Sequence, residues 1–529
     1  MKSKKTKFVP VRLSLRDIAG AAYTDALVEA HGALRIDESI KGAALARKIF
    51  RQQLAQRVDF FPSVFQQRLL ELLPRVGLQV ARSLEQSARG ASTRGFNAAT
   101  KTYQAPLSGL GYYRVAENGR LFFIAKSEHY HAPLGHSFPG YNLIKIARSM
   151  GVPNATHNNT RGHLTRLLEE ALVRAASGLS EEDTAPLARL LASKRPGMPN
   201  RVLNLETGSL AAEAALKMVL ARFYRAQADS PEPKYAGRVP VLVVIGDYDG
   251  GLLANYHGTT MLTQVMRGMW SELRTGMSKQ GLFVIRSVKP NDYEELAKVF
   301  AESETGKFKI AALFHEIVLM NYAGKTLDQK FVRKMYALAK KHDVPTVVDE
   351  IQTGIWSPEL FMFREYGLRP DFVAIGKGFP GGEYCASRIL FNGAYDTLPQ
   401  FGALVTNGQE ELASLAYLVT MRWAKANAAV TSAVGEYYEA RLRALAAKHK
   451  AKIAAIEGRR HLAGVYFHEL APARAFAEHL NGAGLDVSVQ TYKAGCPPSA
   501  LTKLPLIAGY EAVDLVLSRM EEALSSVPT

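Results

Sequence analysis

Two short apolar runs, each delivering a charged residue at its carboxyl end, constrain this chain more than any other feature. The first passes from Pro345 through Val348 into Asp349-Glu350-Ile351-Gln352-Thr353-Gly354; the second passes from Phe372 through Ile375 into Gly376-Lys377-Gly378. Both are short, rich in β-branched residues and bounded by charge or glycine, which predicts buried strands of a parallel sheet. In open α/β sheets ligands bind beyond the carboxyl ends of such strands. Asp349 and Lys377, 28 residues apart, can therefore face one bound molecule.

The rest of the chain agrees with that frame. Pro240–Gly246 and Ile310–Phe314 read as further buried strands, and 327–342 reads as a helix between the second of these and Val347. Strands alternating with helices imply a parallel, doubly wound core. Upstream, Tyr112–Phe123 reads as a hairpin turning at Asn118-Gly119. Leu164–Ala176 is an amphipathic helix, and Ser180-Glu181-Glu182-Asp183 offers a variant capping box for the next one. Downstream, Gly464–His468 reads as a strand, with helices at Ala473–Leu480 (Pro472 in its first turn) and Ala512–Leu524.

One anion site can be argued from the residues alone. Thr207-Gly208-Ser209 precedes a strong helix former that runs to Lys217. Gly208 permits close backbone approach, Ser209 can donate a hydroxyl, and the helix start adds free N–H groups and a positive dipole end. An ordinary helix capped by Thr207 or Ser209 is the plainer alternative.

Composition bounds the possibilities. A chain of 529 residues can form two or three domains, and no apolar run approaches the ~20 residues of a spanning helix. The basic start lacks the apolar stretch of a secretory signal, so a cytoplasmic location is expected. Cys385 and Cys496 are the only cysteines, too few for a disulfide framework or a cysteine-rich metal site; no metal is expected. Residues 1–101 hold 18 Lys/Arg against 8 Asp/Glu. Helical periodicity appears at Phe65–Leu73 and Val76–Leu84, and Ser87–Gly95 reads as a linker. This basic segment is expected to pack on the body of the protein or on a second subunit, because no nucleic-acid motif accompanies its charge.

The motifs together resemble the class III (subgroup II, ω-type) aminotransferases of pyridoxal-phosphate (PLP) fold type I, from about residue 105 onward and most strongly between 311 and 382. The resemblance implies a large PLP-binding domain over 166–400 with a mostly parallel sheet. It implies a smaller α+β domain formed by 101–165 and 401–529, with 1–100 as a helical N-terminal extension. Lys377 is then the lysine that forms the Schiff base, and Asp349 the partner of the pyridinium nitrogen. Gln352 would donate to the ring's 3′-oxygen. Thr207, Gly208 and Ser209 stand where the family has Ser-Gly-Thr around the phosphate, with Ala212 replacing the usual Asn. Tyr256-His257-Gly258 resembles the family's aromatic-His-Gly element, whose ring stacks on the pyridine; Tyr248 is the competing stacking residue. Gly135–Pro139 resembles the Gly-His-x-x-Pro entry to the site. Glu316 stands at the family's Glu-Pro strand end, orienting Gln352 or a substrate-side group. Thr406 resembles the threonine that reaches the phosphate across a dimer. Members that bind α-amino acids often carry Arg before Pro-Pro near the end; this chain has Lys503-Leu504-Pro505, a point charge rather than a fork. Tyr130, Tyr322 and Trp356 are candidates for a more aromatic pocket.

The expectation is a PLP-dependent transaminase, homodimeric, moving an amino group from a primary amine or amino acid to a carbonyl acceptor through Lys377. A PLP-dependent aminomutase, racemase or decarboxylase is the close alternative. A non-catalytic PLP-fold protein that binds nucleic acid or a partner through its basic segment is the distant one.

Overall fold

The computed structural model describes residues 5–37, 42–157, 159–246, 253–490 and 497–527. Tyr248 and the rest of 247–251, and Cys496, lie outside these residues. Seven strands, labelled in chain order, form the central sheet: β1 Arg201–Leu205, β2 Val239–Ile245, β3 Val284–Val288, β4 Phe308–His315, β5 Thr346–Asp349, β6 Phe372–Ile375 and β7 Ser387–Phe391. Their order across the sheet is β1-β7-β6-β5-β4-β2-β3. β5 pairs in parallel with β4 and β6, and β2 with β3 and β4. β7 runs antiparallel to both its neighbours.

The sheet is central because its strands cannot face water. All of β2, β5, β6 and β7 is buried, as expected where helices cover both faces. Helix Gln329–Lys341, between β4 and β5, buries Phe331, Val332, Met335 and Ala339 along one stripe and leaves its lysines to solvent. Asp349 pairs opposite Ala374 at the last residue of β5, and Lys377 follows two residues beyond the end of β6. Register thus delivers both charges to the same sheet edge.

Two smaller sheets flank this core. Pro106–Leu110, Tyr113–Ala116 and Leu121–Phe123 form an antiparallel three-stranded sheet that turns at Gly119 with φ +74°. Ile453–Arg459, Leu462–Phe467, Ser499–Lys503 and Ser488–Val489 form a four-stranded antiparallel one. Main-chain bonds join the two: Phe123 N to Gly484 O at 2.8 Å and Lys503 N to Ala125 O at 2.8 Å. The boundary expected between 165 and 166 falls inside helix His163–Ser177, which starts two residues earlier.

The N-terminal segment folds as helices Leu15–Ala19, Ala21–Arg35, Ala43–Ala55 and Ser63–Leu72. It packs on the rest of the chain through aromatic rings. Phe8 and Phe61 meet Trp423 at 5.7 and 6.0 Å, and Phe61 stacks on Phe138 at 6.1 Å. Val9 N donates to Asn427 Oδ1 at 2.7 Å. Two local expectations need correction. Val76–Leu84 is not helical, because its backbone is used by the hairpin instead: Leu121 N donates to Leu78 O at 3.0 Å and Val80 N to Gly119 O at 3.0 Å. Ser180 is not the cap of the following helix, which runs Thr184–Ala192 from Asp183; Ser180 N bonds Asp183 Oδ2 at 2.7 Å one turn earlier. Among the described residues no helix is long and apolar enough to cross a membrane.

Candidate active site

A cavity of about 620 Å3 opens beyond the carboxyl ends of β4, β5 and β6. Glu316, Asp349, Gln352, Lys377, Thr207, Gly208, Ser209, Tyr256 and His257 all line it. Lys377 sits at φ +39°, a left-handed conformation that costs a non-glycine residue roughly 1–2 kcal/mol. Its neighbours explain how the chain tolerates it. A Cβ on Gly376 would strike Ser387 Oγ, and one on Gly378 would strike the Trp356 ring. Only two glycines let the lysine emerge there. Burial pushes the Lys377 amine down, while Glu316 and Asp349 pull it back up.

The acid is fixed equally firmly. Asp349 is 5% exposed; its Oδ2 lies 2.8 Å from His257 Nδ1, and its Oδ1 accepts from Ile351 N at 3.0 Å. The second ring nitrogen of His257 and Oε1 of Gln352 are buried without a protein partner. Glu316 follows the last residue of β4, and its Oε2 accepts from Asn255 Nδ2 at 2.7 Å.

At the other end, helix Gly208–Leu220 begins with Thr207 as its cap, Oγ1 accepting from Leu210 N at 3.4 Å. The capped-helix and anion-site readings are thus compatible: the cap uses one donor, and the first-turn N–H groups of Gly208 and Ser209 precede it. Ser209 Oγ accepts from Thr259 N at 3.0 Å, which ties the Tyr256-His257-Gly258 loop to the helix start. Tyr256 is half-buried beneath the Arg267 guanidinium, 5.5 Å from its ring, and burial raises its hydroxyl pKa.

The structure does not bring every candidate to the cavity. Thr406 is exposed and outside the lining, and it caps no helix, since the next one begins at Glu411. Tyr322 and Trp356 are core residues, 5% and 2% exposed, behind the cavity wall. Lys503 is not available as a point charge for a substrate carboxylate. It is fully buried, its Nζ bonds the main-chain oxygen of Gln352, and it lies 3.7 Å from the Trp356 ring centroid. A strand position on a buried sheet leaves a flexible side chain nowhere else to go.

Sequence reasoning named Tyr130, which is 3% exposed and outside the lining, but missed the cavity wall formed by its neighbours His129 and His131. Ser127, Glu128, His129 and Tyr130 form a left-handed turn with φ of 47°, 48°, 58° and 80°. His129 and His131 line the cavity from it, beside Gly382–Ser387. Burial, with Lys377 and Lys126 adding to it, pushes His129 down to about 4. Tyr130 turns its ring to Lys377 Nζ, 5.4 Å from the centroid. No glycine announces positive φ here; the sequence offers only a dense polar run, Lys126–His131.

The comparisons with known proteins agree with this geometry. The description "Aminotransferase class-III" fits residues 142–524. An adenosylmethionine-8-amino-7-oxononanoate aminotransferase of Mycobacterium leprae is 26% identical over 216 residues, 39% of this chain; the match spans 45% of that protein's own length. The 5-aminovalerate aminotransferase DavT of Pseudomonas aeruginosa is 24% identical over 59% of this chain and 71% of its own. Among solved structures, the ornithine aminotransferase of Toxoplasma gondii, which has PLP at partial occupancy in its active site, superposes with TM-score 0.63 at 17% identity. It covers 84% of this chain and 96% of its own. The Methanocaldococcus jannaschii adenosylmethionine-8-amino-7-oxononanoate aminotransferase gives 0.63 at 18% identity, with 88% and 100% covered. The sheet, its strand-end lysine and acid, and the matched span lead to one statement: this chain belongs to the class III aminotransferases, PLP-dependent enzymes of fold type I.

Proposed function

We propose that this protein transfers an amino group from a primary amine or ω-amino acid to a carbonyl acceptor, with PLP held by Lys377, Asp349, Gln352, Tyr256 and the Thr207–Ser209 helix start. One observation carries the reading: Asp349 and Lys377 line a single cavity from adjacent parallel strand ends, opposite a helix N-terminus. The unpartnered, buried Gln352 Oε1 and His257 Nε2 also suit a polar aromatic cofactor. When bound, PLP supplies an electron sink conjugated to the carbon that bears the amine. Asp349, aligned by His257, would face the ring nitrogen and favour its protonated form. Lys377 Nζ, depressed by burial, is suited to take the proton from the amine-bearing carbon and return it to the carbon that receives it. Tyr256, which lines the cavity, would cover a face of the ring.

The donor class follows from the lining charges. Glu206, Glu316, Asp349 and Glu383 face the cavity with no arginine among the described lining residues, and His129 is neutral at physiological pH. That favours donors whose carboxylate is distant or absent. Thr406, exposed on its own chain, suits a homodimer in which it serves the partner's site.

The test is an amine panel read by bleaching of the cofactor's absorbance in a half-reaction. Primary amines and ω-amino acids should convert the cofactor faster than glutamate does; rapid conversion by glutamate alone would overturn the donor class. Borohydride reduction should fix a phosphopyridoxyl mass on the peptide containing Lys377, and a label on another lysine would overturn the site itself.

A further inference from the structure

The left-handed turn over Ser127–Tyr130 has four successive non-glycine residues at positive φ. Such a run does not hold its own shape, and it persists only where the surroundings over-determine it. Ser127 is fully buried, and its hydroxyl donates to Lys503 O at 2.6 Å. Glu128 is gripped from two sides: Arg114 Nη1 lies 2.6 Å from Oε2, and His136 Nε2 lies 2.8 Å from Oε1. Both grips are anchored. Arg114 belongs to strand Tyr113–Ala116 and also meets Asp486 at 3.2 Å. His136 exchanges main-chain bonds with Gly111 at 2.7 and 2.8 Å. Glu128 itself does not line the cavity. The turn that it pins does two things there. It sets the Tyr130 ring 5.4 Å from Lys377 Nζ and 4.9 Å from Lys503 Nζ, and it stacks His129 on that ring at 4.8 Å.

We propose that Glu128 is a positioning residue for the reaction: clamped by Arg114 and His136, it holds the strained turn that presents the Tyr130 ring to the Lys377 amine. This rests on the reading of Lys377 as the cofactor lysine. The face of an aromatic ring attracts an ammonium group. The Tyr130 ring therefore gives the lysine amine a fixed resting place whenever it is not engaged. A lysine without that platform has more rotamers to search before each encounter.

The experiment compares Glu128→Gln, Glu128→Gly, Tyr130→Phe and Tyr130→Leu in the full chain. It reads the rate at which apoprotein captures PLP onto Lys377, followed by borohydride-fixed label, and the split of kcat from KM. Glu128→Gln should slow capture and lower kcat about tenfold, with KM moved less than about twofold, the scale of one lost cation–ring placement. Glu128→Gly should lose as much, because glycine accepts φ +48° freely but offers no carboxylate to the clamp. Tyr130→Leu should reproduce the loss, and Tyr130→Phe, which keeps the ring, should recover it. Normal capture by Glu128→Gly, a Glu128→Gln effect confined to KM or to melting temperature, or equal rates for Tyr130→Phe and Tyr130→Leu would each overturn the proposal. If the Glu128 variants do not fold, the Tyr130 pair decides. A wild type that fails to label Lys377 would sink the functional reading first, and is distinguishable from these outcomes.

Discussion

The two walls of the cavity are built on opposite principles. The wall that carries Asp349, Gln352, Glu316 and Lys377 stands at parallel strand ends: Asp349 closes β5 opposite Ala374, and the other three follow the ends of β4, β5 and β6 by one to three residues. The opposite wall, His129 and His131, hangs on a left-handed turn stabilised by the Arg114 ion pair and the His136 contact of Glu128 rather than by a sheet ladder. The first wall owes its precision to register, and the second owes it to charge. Charge-held strain is easier to lose, so substitutions should damage the two walls differently: chemistry fails on the sheet side, and positioning fails on the turn side.

The sharpest break is Lys377→Ala. The protein should still fold, and the difference spectrum should still report bound PLP, because the helix start, Asp349 and Tyr256 do not need the lysine. Turnover should fall by several orders of magnitude, since loss of general acid–base help alone removes about 10²–10⁴-fold. Near-normal turnover would show that the sheet side does not carry the chemistry, and the contrast between the walls would collapse.

A second measurement sharpens the contrast through Glu350, the neighbour of Asp349. One carboxylate faces the cavity; the other turns into the core, fully buried, accepting from Thr353 Oγ1 and Phe363 N at 2.7 Å each. Burial pushes Glu350 up to about 7, with those hydrogen bonds opposing. The folded state therefore keeps a proton that the unfolded chain releases near its ordinary 4.5. Stability contributed by this group falls as pH rises from about 4.5 to about 7 and is level above that, a loss of roughly 3 kcal/mol. His315 runs the other way: burial pushes it down to about 4, so its contribution rises with pH up to its ordinary 6.5. Glu350→Gln should raise the melting temperature at pH 8, with the gain shrinking toward pH 5. A gain independent of pH would mean that Glu350 is not ionising in the fold.

The difference in construction also decides what could be read from the sequence. β5 and β6 are legible because short runs rich in β-branched or apolar residues, each followed within two residues by a charge, have few structural alternatives. The helix after Gly208 is legible for the same local reason. The turn at 127–130 is not, since Ser, Glu, His and Tyr carry no preference for positive φ; its cause is Arg114 and His136, remote from it in local pattern. Val76–Leu84 failed in the same way. Its apolar spacing suits a helix, but the hairpin at Gly119 and Leu121 takes its backbone groups. Lys503 stands in the slot expected for a substrate-facing charge, yet its strand points it into the core beside Trp356. Nothing local distinguishes those two fates.

The smallest expected effect tests whether the sheet-side wall is fully optimised for its cofactor. Glu206 lines the cavity two residues before Gly208, so a carboxylate borders the helix start that is to receive a phosphate. Like charges in a solvated cleft repel by only about 1 kcal/mol or less, because water keeps the effective dielectric high. The N–H groups and dipole of the helix start outweigh that repulsion, which is why the site can hold an anion in spite of it. Glu206→Gln keeps the size and removes the charge. It should tighten PLP binding to apoprotein about two- to fivefold at low ionic strength, and the advantage should vanish near 1 M salt, where screening acts over about 3 Å. Weaker binding would mean instead that Glu206 accepts a hydrogen bond from the cofactor, and the phosphate end would have to lie elsewhere along the cavity.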